Sequence, residues 1–246
     1  MDMRKIEAMR AGGKILAGIL KDLSERVVEG ANELELDAWT REEIGKREAT
    51  VAYDELDEKF PGAICISVND ELIHGAPKDY DLEDGDKVSF DLTIGYRGYY
   101  VDSTFTKIIG KGSAGVRHLV SVTESAMYEG IEQVKAGVHT GDVGAAVERT
   151  LKSAKLGVIT NYVGHGIGRT MHESPEVPNY GVKGQGYILK AGDVICIEPM
   201  SSMGKPDNYI DEDGWTVKLR DGSVGAHWEH TVLVTEDGYE ILTAWE

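Results

Sequence analysis

Gly85-Asp86-Lys87-Val88-Ser89-Phe90-Asp91 and Gly192-Asp193-Val194-Ile195-Cys196-Ile197-Glu198 follow one pattern: a Gly-Asp turn feeds an apolar strand that arrives at a carboxylate. Each stretch follows a histidine-glycine pair, His74-Gly75 and His165-Gly166, though at different distances. The recurrence predicts an internally duplicated α+β chain, two α/β halves about a pseudo-two-fold axis with Asp91 and Glu198 meeting near its centre. Gly-Asp turns before strands are common, so coincidence is the competing explanation.

The flanking chain supports alternating helices and strands. Ile6, Met9, Ile15, Leu16, Ile19, Leu20, Leu23 and Val27 recur at helical spacing over residues 4–28, and Gly30 closes that segment. A second helix is predicted over Leu34 to Lys46, and two more over Val116–Lys135 and Asp142–Lys155, with Thr140 as N-cap of the last. Strands are predicted at Ala63–Val68, Val88–Ile94, Tyr99–Ile109, Val194–Glu198, Trp215–Leu219 and Ala226–Val234.

Bulk properties narrow the function. A formal charge of -17 over 246 residues argues against broad nucleic-acid binding, which needs a basic footprint. No apolar run reaches the length of a membrane span. Cys65 and Cys196 are the only cysteines, both in apolar strand-like runs, so buried thiols in a reducing, cytoplasmic setting are expected.

The Val88–Ile109 hairpin carries two aspartates. Centring its turn between Tyr96 and Arg97 pairs Asp91 directly with Asp102, with Cβ atoms about 5 Å apart on one face. Either both face water, or they are held inward among Phe90, Leu92, Val101 and Phe105, where a divalent cation would relieve their repulsion. Glu198 inside an apolar strand favours the second case, because a buried glutamate needs a partner. His165 and Glu229 complete an oxygen-rich set, Asp91, Asp102, His165, Glu198 and Glu229, enough for two cations sharing carboxylates. Such a pair activates water near neutral pH. One imidazole among carboxylates suits manganese, iron or cobalt, with zinc also compatible.

His74 and His172 lie in turn-rich chain from which an imidazole can reach a cleft and transfer protons near neutral pH. His118 and His139 fall in helix and cap positions. His227 and His230 flank Glu229, and strand alternation is taken to send both to the opposite face.

These segments together resemble the type I, bacterial-type methionine aminopeptidases of peptidase family M24. The matching stretches are Ser67–Gly75, the Asp91 and Asp102 hairpin, Gly164–Gly168 through His172-Glu173, Ile197–Met200 and Trp228–Thr231. The resemblance implies a pita-bread fold in a single catalytic domain, 1–246, and metal-dependent removal of N-terminal methionine where the second residue is small. It implies two divalent ions (Co, Mn, Fe or Zn), one held by Asp91, the other by His165 and Glu198, with Asp102 and Glu229 bridging. Glu198 would assist proton transfer, His172 would donate to the reacting carbonyl, and His74 would contact the second residue's nitrogen. The implied partners are peptide and nascent-chain N-termini near the ribosome, met by a monomer with no membrane or direct nucleic-acid contact.

The implied methionine pocket draws on Cys65, Phe60, Met171 and Trp215. Two departures bear on it: Asp57-Glu58-Lys59-Phe60-Pro61 replaces the family's aromatic-His-Gly run before the proline, and Met171 stands where phenylalanine is common. Asp57 and Glu58 would reshape the pocket rim, attract basic residues of the substrate, or simply face water. A proline-directed peptidase is the nearest rival, since it shares the ligand set, but such relatives carry a substantial N-terminal domain and only a short helical region precedes Ala63 here. A metal-free creatinase-like enzyme and a non-catalytic adaptor both fit poorly with five intact ligands.

Overall fold

The computed structural model describes residues 2–55 and 59–245. Among the described residues, four α-helices pack on a nine-stranded sheet, as expected for an α+β chain. Helix α1, Met3–Arg26, starts where Asp2 accepts from Arg4 N at 3.0 Å, which satisfies an otherwise free amide. It buries Ile6, Met9, Leu16, Ile19, Leu20 and Leu23 against the sheet. Helix α2 spans Glu33–Lys46, α3 Ala114–Ile131 and α4 Thr140–Ser153. Thr140 is not the N-cap of α4. His139 holds that position, with its amide donating to Asp142 Oδ2 at 3.2 Å, while Thr140 Oγ1 accepts from Tyr187 N.

The duplication extends well beyond the two opening stretches. Helices α2 and α4 are each 14 residues long and start 107 residues apart (140 − 33). Gly30 and Gly137, at the same spacing, have φ of 81° and 87° and donate to Leu82 O and Leu189 O at 2.8 Å each. Gly85 and Gly192, again 107 apart (192 − 85), have φ of 100° and 97°, a region that glycine enters freely. Both donate across the sheet at 2.9 Å, to Ile109 O and Val234 O. Asp86 and Asp193 then close matching turns, each accepting at 2.9 Å from the amide three residues earlier. Asp91 and Glu198 are therefore structural counterparts.

Returning strands correspond at a different spacing, because their connections differ in length. Thr104 and Glu229 are 125 residues apart (229 − 104) and are direct partners in the central sheet, so the pseudo-dyad passes through this pair. On either side of it, Thr231 Oγ1 donates to Asp102 O at 2.7 Å and Thr106 Oγ1 donates to His227 O at 2.5 Å. Those bonds are images of each other under the same spacing.

The hairpin register departs from expectation. Its turn residues are Arg97 and Gly98, at φ of 51° and 79°, a two-residue turn whose twist suits antiparallel strands. Tyr96 therefore pairs with Tyr99, Asp91 with Thr104, and Asp102 with Thr93. Moving the turn centre by one residue shifts every partner by two, so Asp91 and Asp102 keep a common face and sit diagonally rather than opposite. The predicted Ala226–Val234 strand is broken at Trp228 into Gly225–His227 and Glu229–Val234.

One buried carboxyl couples this frame to pH. Glu33 is fully buried at the start of α2, where its Oε2 accepts from Lys78 N at 3.1 Å and so fastens the chain just after His74. Burial raises its pKa to about 7, against the pull of Lys78. A folded-state value above the unfolded one adds stability below about pH 4.5 that is lost as pH rises through 7. Glu33→Gln removes that slope. Its melting temperature should match wild type near pH 5 and exceed it at pH 8 by about 5 °C, from on the order of 2 kcal/mol. Parallel melting curves at both pH values would refute the assignment.

Candidate metal centre

Asp91, Asp102 and Glu229 converge beneath the pseudo-dyad, each with a carboxylate oxygen within 4.8 Å of the others. All three are buried, with exposures of 8%, 6% and 1%. Thr93 Oγ1 donates to Asp102 Oδ2 at 2.7 Å, and Thr104 Oγ1 lies 2.9 Å from Asp91 Oδ1 and 3.2 Å from Glu229 Oε2. Asp102 Oδ1 and Glu229 Oε1 accept nothing among the described residues. Burial, then the neighbouring acids, pushes the carboxyls of Asp91 and Glu229 well above the usual range. Burial also raises Glu198 to about 8, with Asp102 adding to the rise and His165 opposing it. Orphan acceptors amid mutually repelling carboxylates fit divalent cations, which supply the missing positive charge.

His165 is prepared as a nitrogen donor. Its Nδ1 donates to Gly166 O at 2.9 Å, leaving the Nε2 lone pair 3.9 Å from Glu229 Oε1. Glycines flank it because three strands are squeezed together here: a Cβ on Gly164 would sit 2.2 Å from Cys196 O, and one on Gly166 2.3 Å from Ser174 O. Cys196 Sγ also lies within 4.8 Å of donor atoms of His165 and Glu229. Burial, with Glu229 and Asp102 alongside, pushes its thiol well above the ordinary range, so it is a neutral neighbour.

His74, His172, His165 and Glu198 line one open cleft of about 470 Å³. His172 packs edge-on to His165 with ring centroids 4.4 Å apart. His74 sits at φ 56°, a left-handed conformation unusual for histidine. Next to it, a Cβ on Gly75 would lie 2.0 Å from Ile66 O. Burial, reinforced by His227 and His172, lowers His74 to about 4, so its imidazole is neutral at working pH.

His227 corrects the sequence-based expectation. Two residues from Glu229, it shares that residue's side by strand alternation, and it is buried with Nε2 2.9 Å from Glu198 Oε1. Parity alone would have found it. His230 does point away, its Nδ1 3.0 Å from Thr243 Oγ1.

The candidate methionine pocket is an adjacent aromatic cluster. Phe60 lies edge-on to Trp215 at 5.5 Å and against Tyr53 at 5.0 Å. The Cys65 thiol donates to Tyr53 Oη at 3.3 Å, and Cys65 is the strand partner of Asp91, which places the cluster beside the carboxylates. Tyr53 was not singled out from sequence; only its aromatic character close before Phe60 hinted at it. Met171 is buried and does not line the cleft. Asp57 and Glu58 lie outside the described residues.

Comparison with known proteins places this geometry. Residues 7–236 match the profile of metallopeptidase family M24. A methionine aminopeptidase of Mycoplasma capricolum is 40% identical over 246 residues, covering 100% of this chain and 98% of its own. The crystal structure of a methionine aminopeptidase from Rickettsia prowazekii superposes with a TM-score of 0.96 at 36% identity, covering 99% of this chain and 98% of that one. A prolidase from Pyrococcus furiosus is more distant, with a TM-score of 0.79 at 25% identity, and this chain covers 65% of it.

Proposed function

Because the chain belongs to metallopeptidase family M24, whose pita-bread fold it has, we infer that it is a methionine aminopeptidase. It hydrolyses the first peptide bond of peptides and nascent chains that begin with methionine and carry a small second residue. The observation that carries the reading is the buried convergence of Asp91, Asp102 and Glu229 with His165, in a chain matched end to end by enzymes of that name. Asp91, Asp102, His165, Glu198 and Glu229 would hold divalent cations, and cobalt, manganese, iron and zinc all suit such donors. When bound, the cations supply Lewis acidity and lower the pKa of water.

The remaining steps belong to side chains. Glu198 takes the proton of the attacking water and passes it toward the leaving amine. His172 donates to the carbonyl oxygen as negative charge develops there. Neutral His74 accepts from the amide of the second residue. Phe60, Trp215, Tyr53 and Cys65 receive the thioether side chain, with the flexible Met171 as added apolar bulk. Among the described residues no helix is long and apolar enough to cross a membrane. A single catalytic domain working as a cytoplasmic monomer on chains leaving the ribosome is the setting this reading assigns.

Protein stripped of metal and resupplied with manganese, iron or cobalt should release methionine from Met-Ala-Ser. It should cleave Leu-Ala-Ser at least about 10-fold more slowly and barely touch Xaa-Pro peptides. Equal turnover of the leucine peptide defeats the pocket assignment, and no hydrolysis with any of these metals defeats the enzyme.

A further inference from the structure

Under the pseudo-dyad, His227 is the counterpart of Asp102, just as Glu198 is the counterpart of Asp91. Both relations follow from hydrogen bonds: Thr231 Oγ1 to Asp102 O and Thr106 Oγ1 to His227 O are the same bond in the two halves. The first half therefore sets two carboxylates diagonally across a hairpin. The second half sets a carboxylate diagonal to an imidazole, with Nε2 2.9 Å from Glu198 Oε1.

The ring is buried, and neither of its nitrogens completes a hydrogen bond among the described residues. A buried polar ring without a partner calls for an explanation. The carboxylate of Glu198 is equally unanchored: its residue is tied down by Asn179 Nδ2, which donates to the backbone oxygen at 2.8 Å, but no hydrogen bond reaches its side chain among the described residues. Two unfilled partners thus stand 2.9 Å apart without an aligned hydrogen bond between them. Active-site hydrogen bonds commonly align only once substrate is in place.

Comparison with His165 decides between two roles for His227. A metal-bound imidazole ordinarily donates its second nitrogen to a fixed acceptor, as His165 Nδ1 does to Gly166 O. His227 Nδ1 has no such acceptor. We propose that His227 is a positioning residue: its Nε2–H donates to Glu198 Oε1 and fixes the plane of the carboxylate that moves the proton. The inference rests on the role given to Glu198 above. It assigns the second half of the duplication an outer support where the first half has a ligand.

Side chains that retain one nitrogen or the other provide the test. Glutamine at 227 carries an amide near the place of Nε2; asparagine carries one near Nδ1. On Met-Ala-Ser, His227→Ala should lose about 10- to 100-fold in kcat with KM within about 3-fold of wild type. His227→Gln should recover to within about 3-fold, whereas His227→Asn should remain with the alanine variant. Calorimetric titration of cobalt into metal-stripped protein supplies a readout independent of turnover. One binding step should weaken about 10-fold in His227→Ala and His227→Asn and be restored in His227→Gln. Wild-type kcat in His227→Ala, or equal behaviour of the glutamine and asparagine variants, overturns the proposal. If the alanine variant does not fold, the glutamine–asparagine comparison decides alone. If wild type itself fails to cleave the peptide, the functional reading falls, and the cobalt titrations still test the hold of His227 on Glu198.

Discussion

Glu198→Gln should leave a folded protein that cleaves Met-Ala-Ser at least about 1000-fold more slowly than wild type, beyond what loss of a cation donor alone would cost. Glutamine matches the shape of glutamate and can still accept a hydrogen bond through its oxygen. What disappears is the negative charge and the ability to take a proton from water. The fold should tolerate the change, because burial already raises this carboxyl to about 8 with Asp102 pressing on it, so a neutral group relieves repulsion. Kinetics alongside circular dichroism measures both halves of the expectation. Turnover near wild type would remove Glu198 from the chemistry; an unfolded variant would make it a structural residue.

Gly164→Ala should cost about 3 kcal/mol or more, a fall in melting temperature of roughly 6–12 °C. The added methyl carbon would meet Cys196 O at 2.2 Å and Val177 O at 3.1 Å, both backbone atoms of neighbouring strands that cannot swing aside. Activity should fall with stability, since His165 is the next residue and any displacement moves its nitrogen from Glu229. Gly18→Ala provides the contrast. It lies inside α1 with nothing within 4 Å of the new carbon, so it should leave stability unchanged or raise it by up to about 1 kcal/mol. A Gly164→Ala protein melting within about 2 °C of wild type would mean that the strands have room to spread.

Much of this site was legible because its chemistry conflicts with its surroundings. Glu198 in an apolar strand and two aspartates in one hairpin each demanded a partner, and the structure brings Asp91, Asp102 and Glu229 together. The hairpin register was not legible, since Tyr96-Arg97 and Arg97-Gly98 are both acceptable turn centres until φ at Arg97 and Gly98 is known. Either centre preserves parity, so Asp91 and Asp102 share a face in both. Alternation puts His227 on the side of Glu229, and the duplication points the same way: the residue related to Asp102 faces the centre. Tyr53 needed tertiary structure, because nothing local ties it to Cys65, 12 positions away. The N-cap of α4 went to histidine over threonine because Thr140 is already engaged with Tyr187.

The central pairing of Thr104 with Glu229 also orders events during synthesis. A ribosome delivers Asp91 and Asp102 early, on a hairpin that can close by itself through a two-residue turn. That hairpin carries only Asp91 and Asp102 of the five candidate donors. His165, Glu198 and finally Glu229 arrive later, and Glu229 seats only when its strand docks beside Thr104. The five candidate donors are therefore brought together only by the completed sheet.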